Sequence, residues 1–410
     1  MDTNKNKLNK SLGLFDIVLF GVGGIVGAGI YAIIGEAAGM AGNMLWAAFM
    51  IAAVVALLTG LCYAEFVSRY PDAGGSFEYI KRGFGPKLAL SLSIVIFLTS
   101  VIAPAAIAIS FSGYLSALVD IPQWISTVAI ILLMAFINIF GVRNSSWFNI
   151  LATVITLLGL GSVVVFSIPS WGDHDLLQLG DAGAVGLFSG AAIIFFSYVG
   201  FEDLVKLAEE TKDARRNMPK GIIISGIIVL VLYVVIAISA VSVMEAKQLL
   251  QSSGPLAAVM EKSAGQTWST ILVAVALFAT SKTIMANIMS SGRLVFDVAR
   301  DNDIDFLNKM ARVHQGSGTP RIAIGAAALV TLVFGLIGNL KVVASISNVF
   351  IFFLFLMVNI ALIRLRLSNK DLEKPPYMMP LNVGGVSVLS FVSIIGILVL
   401  LGFNLYNIFA

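Results

Sequence analysis

The chain is written in long apolar runs separated by short polar connections. A bilayer's hydrocarbon takes about 20 apolar residues to cross, and eleven runs qualify: 14–40, 43–68, 88–118, 124–142, 147–168, 185–208, 220–243, 268–297, 322–338, 342–366 and 384–409. Several exceed the hydrocarbon thickness, so they are expected to tilt or to project turns into water. Between the seventh and eighth runs, residues 245–264 (Met244-Glu245-Ala246-Lys247, then Gly254-Pro255) predict a short amphipathic helix lying at the surface.

Two runs are flawed as helices. The first contains Gly21-Val22-Gly23-Gly24-Ile25-Val26-Gly27-Ala28-Gly29-Ile30-Tyr31, five glycines in nine residues, each costing about 1 kcal/mol against alanine. Backbone groups freed in lipid cost several kcal/mol unless something satisfies them. The stretch is therefore either a helix unwound to offer its backbone to a ligand, or a packing face. Gly23/Gly27 and Gly35/Gly39 both have the GxxxG spacing that lets helices approach. The sixth run contains Phe195-Phe196-Ser197-Tyr198-Val199-Gly200-Phe201-Glu202-Asp203, a glycine followed by two carboxylates before the segment reaches water. These flaws open the first and second sets of five runs, and matched interruptions in two halves point to a binding site between inverted repeats.

The expected fold is an all-α polytopic membrane protein, an inverted 5+5 helix repeat with helices 1 and 6 broken, plus one further helix. The expected segments are a cytoplasmic tail (1–13), repeat one (14–168), an external loop (169–184), repeat two (185–367), and a cytoplasmic loop with helix eleven (368–410).

Composition fits this reading. The 410 residues are 58% hydrophobic and 12% charged, about half the charge of a soluble domain, and mean hydropathy is +0.96. The N-terminus is polar and basic and the first run lacks a cleavage site, so no cleavable signal peptide is expected. The single cysteine, Cys62, excludes an intrachain disulfide or a multi-cysteine metal site. His174 and His314 lie in connections, which excludes a membrane-buried histidine relay. No cofactor or metal is implied, and no nucleophile–base constellation marks an enzyme.

Lysine and arginine set the orientation. With the N-terminus in the cytoplasm, 22 of the 26 lie in inner segments. Three (Lys247, Lys262, Lys341) lie outside, and one, Lys282, falls within a span. The net charge of +3 is this bias and carries no nucleic-acid footprint. The loop at 169–184, with Asp173, Asp175 and Asp181, then faces out, as does the C-terminus after an odd number of spans.

Several motifs, in order, resemble the amino acid–polyamine–organocation (APC) transporters. Gly23 to Tyr31 is similar to that family's first-helix signature. Tyr63-Ala64-Glu65 followed by Tyr70-Pro71-Asp72-Ala73-Gly74-Gly75-Ser76-Phe77-Glu78-Tyr79 resembles its second helix and following loop. Tyr198-Val199-Gly200-Phe201-Glu202, Ala208-Glu209-Glu210 and Arg216-Asn217-Met218-Pro219 resemble its sixth-helix region. Ser291-Gly292-Arg293, Ala299-Arg300-Asp301 and Thr319-Pro320 resemble the eighth helix and its exit. Two departures stand out. The family usually has twelve spans and this chain stops after the eleventh. Thr156 also occupies the fifth-helix position where some proton-coupled members carry a lysine.

The resemblance implies a secondary transporter for a small amino acid, working by alternating access in the plasma membrane. Its substrate site would be the unwound stretches Ile25-Val26-Gly27-Ala28-Gly29 and Phe196-Ser197-Tyr198-Val199-Gly200. Free N–H groups at the start of a half-helix suit a carboxylate, and the Ala28 and Gly29 nitrogens are the candidates. Carbonyls ending the other half suit an ammonium, with Ile25 nearest and Phe196 and Val199 as counterparts. By the resemblance Phe196 is also the aromatic gate, although position alone reads it as packing. No acidic residue falls at the side-chain pocket apart from Glu202 just beyond it, which favours a neutral substrate.

For coupling, Lys282 is the one charge near the middle of any span, too deep to snorkel. The resemblance places it beside the first-helix break with Ala279 and Thr283. With Thr156 opposite, a protonated Lys282 is expected to bridge carbonyls near Gly24 and Ile25, and a neutral one to release them. A static structural lysine is the alternative. Glu202 and Asp203 either cap the inner half-helix, with Glu202 and Lys206 spaced for an i,i+4 pair, or titrate with the proton. Asp16, the Glu65/Arg69 pair and the Arg293/Asp297 pair are inner-gate candidates or solvated helix ends. The competing functional readings are an exchanger that needs no proton and, from another class, a channel or membrane-embedded sensor, although no filter motif is present. The expected partners are the amino acid, the proton and the bilayer.

Overall fold

The computed structural model describes residues 10–71, 75–140, 146–301, 310, 312, 314, 319–368 and 374–409, with backbone only at 146–149, 297, 298, 300 and 301. Lys5, Lys7, Asp72-Ala73-Gly74, Arg143 and the side chains of Asp297, Arg300 and Asp301 lie outside what is described. The first apolar run forms two helices, α1 (Leu14–Ile25) and α2 (Gly29–Ala41), bent by 49° at the glycine stretch. α1 starts at Gly13, whose N–H donates to Asp16 Oδ2 at 2.8 Å, so the first-turn carboxylate that was an inner-gate candidate serves as a cap here.

α3 (Leu45–Arg69) ends before Pro71, as the residue preceding a proline disfavours the helical conformation. The stretch read as a loop after it then forms a helix, α4 (Ser76–Phe84), with Glu78 paired to Lys81 and Arg82 at 3.2 and 3.0 Å. α5 (Pro86–Ser116) opens with proline in its first turn, where the missing N–H is not needed. α6 (Gln123–Ile139) and α7 (Ser146–Ser167) complete the first half.

The sixth run is α8 (Gly183–Ile194), a 3₁₀ turn (Phe195–Tyr198), α9 (Phe201–Leu204) and a second 3₁₀ turn (Val205–Glu210). α10 (Ala214–Val243) follows. Residues 245–264 make two short helices, α11 (Ala246–Gln251) and α12 (Pro255–Ala264). They do not lie free on the surface: the Leu249 carbonyl and Pro255 press on Gly35, and Leu250 presses on Gly39. The GxxxG of α2 thus serves this close approach. α13 (Gln266–Asp301), α14 (Arg321–Gly335), α15 (Leu340–Ser368) and α16 (Val388–Phe409) complete the helices. A two-strand hairpin, β1 (Asn382–Val383) and β2 (Val386–Ser387), precedes α16.

Among the described residues, eight helices are long and apolar enough to cross a bilayer, and the bent α1–α2 pair makes nine. α6 and α14, at 17 and 15 residues, are shorter apolar helices. The chain is a polytopic all-helical membrane protein. The connection at 169–184 is tied down: Asn43 Nδ2 donates to the Asp175 carbonyl and Trp46 Nε1 to the Leu176 carbonyl, both at 2.9 Å. α2 packs on α8, α1 on α10 and α3 on α8, so the two interrupted runs lie against each other and against the continuous helices α3 and α10.

Candidate substrate site at the paired breaks

The two interruptions touch. Gly200 has φ +132°, a backbone conformation that side-chain-bearing residues rarely adopt, and a Cβ there would lie 2.5 Å from the Gly24 carbonyl oxygen. A Cβ on Gly29 would lie 2.8 Å from Ser197 Cα. Glycine at these two positions is what lets the broken backbones meet.

At the first break, Val26 N–H donates to the Val22 carbonyl at 2.7 Å and Gly27 N–H to the Ile25 carbonyl at 2.8 Å. Helical bonding resumes with Ala32 N–H to Ala28. The N–H groups of Ala28, Gly29, Ile30 and Tyr31 are therefore the first turn of α2, which has no acceptors within its own helix. They present partial positive charge beside the second break. The site is not sealed: Gly24 is exposed, and Gly27, Gly29, Val199 and Gly200 are half-buried. Two buried hydroxyls beside it, Ser197 Oγ and Tyr31 Oη, have no hydrogen-bond partner among the described residues.

An aromatic cluster supports the breaks. Tyr233 of α10 donates its hydroxyl to the Ile25 carbonyl at 3.1 Å, and Tyr198 donates to the Phe49 carbonyl at 3.1 Å. The rings of Phe49, Tyr198 and Tyr233 pack together, with centroids 5.2–6.3 Å apart. Phe196 is buried in the 3₁₀ turn before Gly200. The Ile25 carbonyl, the nearest ammonium acceptor expected from the sequence, thus already accepts from the Tyr233 hydroxyl and the Gly27 N–H.

Thr153 of α7 lies against Gly23, and Thr283 of α13 lies against Gly27. Thr156 is buried one turn along, its hydroxyl bonded back to the Ala152 carbonyl at 2.8 Å. Lys282 is half-buried next to Thr283 and makes no hydrogen bond or ion pair with the described residues. The bridge from Lys282 to carbonyls near Gly24 and Ile25 is not formed in this structure, and Tyr233 holds the place at Ile25. Glu202 Oε2 accepts from its own break, the Gly200 N–H at 2.7 Å, and Lys206 pairs with Asp203 at 2.5 Å rather than with Glu202. The half-helix here is a single turn, so i,i+3 geometry replaces the i,i+4 spacing of a regular helix.

A family model described as "Amino acid permease" matches residues 12–407. The chain belongs to the amino acid permease family. It is 26% identical over 402 residues to a branched-chain amino acid permease of Bacillus subtilis, covering 91% of this chain and 84% of that protein. It is 29% identical over 398 residues to Cationic amino acid transporter 7, chloroplastic, of Arabidopsis thaliana, covering 90% of this chain and 68% of the other. Cationic amino acid transporter 4 of the mouse is 26% identical over 399 residues, covering 91% and 62%. The chain therefore spans about two thirds of the length of these cationic relatives. The family is one of permeases, and no enzymatic chemistry is attached to it.

In this permease the inner-gate candidates separate. Arg293 is exposed on α13. Glu65 is fully buried and is not a solvated helix end. It accepts from Arg69 Nε and Nη2 at 2.9 and 2.8 Å, from the Met379 N–H at 2.9 Å, and from the guanidinium of Arg366 in bidentate fashion. Ser68 Oγ accepts from the Tyr377 N–H at 3.1 Å and donates to the Arg215 carbonyl at 2.8 Å. Burial, then the nearby Glu65 carboxylate, pushes the Tyr377 phenol up to about 12, so it adds no charge to the cluster. One carboxylate thus fastens α3, α15 and the strap at 374–387.

Sequence reasoning missed Tyr233 and Arg366. Tyr233 is an aromatic in an apolar helix with nothing local to distinguish it. Arg366 reads as one more basic residue at an inner helix end, yet it is 7% exposed. That burial is the signal, and only packing supplies it.

Proposed function

We propose that this permease moves a small, neutral L-amino acid across the plasma membrane by alternating access, coupled to a proton, with the first and sixth spans of two inverted five-helix halves rocking against the rest. In this reading the protein has eleven spans, α6 and α14 included, with the N-terminus in the cytoplasm. The observation that carries it is the contact of Gly24 with Gly200 beside the unpaired first turn of α2. Two opposed half-helix ends there complement a zwitterion without any charged side chain. The Ala28 and Gly29 N–H groups hold the carboxylate, the Phe196 and Val199 carbonyls face the ammonium, and Ser197 Oγ has a free hydrogen-bonding capacity beside them. The branched-chain permease among the relatives supports a neutral side chain, and the cationic transporters beside it make a cationic amino acid the competing substrate.

Lys282 is the proton carrier in this scheme. It is half-buried beside Thr283 and unpaired among the described residues, so losing a proton breaks no ion pair there. Two measurements test the scheme. Counterflow of labelled amino acid into pre-loaded vesicles is expected; a flux that ignores the opposing pool makes the protein a channel, and no flux at all makes it a sensor. An imposed inward-acid pH gradient is expected to drive uptake in wild type and to lose that drive, about tenfold or more, in Lys282→Ala and Lys282→Met. Undiminished proton drive in both variants rejects the role of Lys282. Pre-loading dependence with no pH effect in wild type makes the permease an exchanger.

A further inference from the structure

We propose that the end of one phospholipid acyl chain enters a crevice between α3 and α10 and abuts both broken helices. The walls are cut by small residues on α3 (Ala53, Ala56 and Gly60), with Gly226 on α10. The floor is made by Ile25, the last residue of α1, and by Tyr198 and Phe201, which flank the second break. Leu57, Ile223 and Gly226 are the half-buried lining residues and form the mouth, and Val54, Ile224 and Ile227 on the same two helices are exposed.

The chemistry of the lining selects the occupant. Tyr198 is the one lining residue with a polar side-chain group, and that hydroxyl is committed to the Phe49 carbonyl at 3.1 Å. A buried water needs two to four polar partners, and a zwitterion needs more. Neither finds them here. The free space in the crevice is about 20 Å³, a little more than a water needs, so the slender end of an acyl chain fits and a headgroup or a fused-ring lipid does not. Ala56 lies 11 residues from Leu45 and 13 from Arg69, about 17 and 20 Å along the helix. That is mid-span, where the tails of a bilayer end and no headgroup reaches. A hydrocarbon chain end is the one abundant molecule of that depth, width and polarity.

The consequence for transport, unlike the site, rests on the alternating-access reading. If the inner half-helices shift against α3 and α10, the floor of the crevice moves, and the lodged chain end moves with it. Bilayer composition then acts on the breaks directly.

The test is photo-crosslinking in proteoliposomes of phosphatidylcholine that carries a diazirine at the end of one acyl chain, with adducts mapped by mass spectrometry. We expect adducts on 53–60 and 222–226 at several times the density found on α16, whose Phe391, Val392, Ile395 and Leu398 are equally open to lipid. Leu57→Phe at the mouth and Ala56→Leu in the wall should each cut the labelling of the crevice several-fold and leave α16 unchanged. Labelling of 53–60 and 222–226 no denser than on α16 in the wild-type protein overturns the proposal whether or not either variant folds. Crevice labelling that persists in both folded variants overturns it too. Neither readout depends on transport, so a failed transport scheme and a failed lipid site give different results.

Discussion

At the scale of single residues, Gly200 and Tyr233 carry the clearest expectations. Gly200→Ala must place a Cβ 2.5 Å from the Gly24 carbonyl at φ +132°, so one break must move off the other. Uptake should fall by about five- to a hundredfold with the protein still inserted and monodisperse, because such backbone strain costs of order 1–3 kcal/mol. Gly402→Ala, where a Cβ meets nothing within 4 Å, is the matched control and should leave uptake unchanged. Tyr233→Phe removes the hydroxyl bonded to the Ile25 carbonyl and should destabilise by about 1 kcal/mol, read as a lowered melting midpoint in detergent. Of these two positions, the glycine was legible in the sequence, because a glycine with carboxylates two and three residues on is costly inside an apolar run unless the helix stops there. The tyrosine was not, since its partner is 208 residues away and no local pattern reports that distance.

At the scale of elements, apolar runs fixed the helices to within a few residues, because in lipid a backbone has little choice but to satisfy itself internally. The first interruption was legible for the same reason: five glycines in nine positions defeat a helix interior. What could not be read was how short elements lie against long ones. The strap at 374–387 reads as a plain proline- and glycine-rich connection, yet Met379 is fully buried and its N–H reaches Glu65. Arg366→Met leaves that carboxylate with Arg69 and one amide. Removing one partner of a buried ion pair typically costs about 3–5 kcal/mol, so thermal stability in detergent should drop sharply. Lys81→Ala breaks only the exposed pair with Glu78 and should change stability by no more than about 1 kcal/mol. Equal losses in the two variants would count against Glu65 as the fastening point.

At the scale of the whole molecule, the charge bias of the connections predicts which face meets the cytoplasm. Cys62 is buried, so the wild-type protein should be silent to a membrane-impermeant maleimide in intact cells. Asp173→Cys, at an exposed site in the 169–184 connection, should label from outside. Lys212→Cys, also exposed, should label only after the cells are opened. The reverse pattern would invert the topology.

The fastening of Glu65 also has a history in time. Arg366 lies 301 residues further along the chain, so on the ribosome α3 is made long before its distant partner exists. During that interval Arg69, one turn away on the same helix, is the neighbouring cation that can shelter the carboxylate. The short-range pair is thus complete as soon as α3 is made, whereas the long-range one waits for about the last 45 residues of the chain.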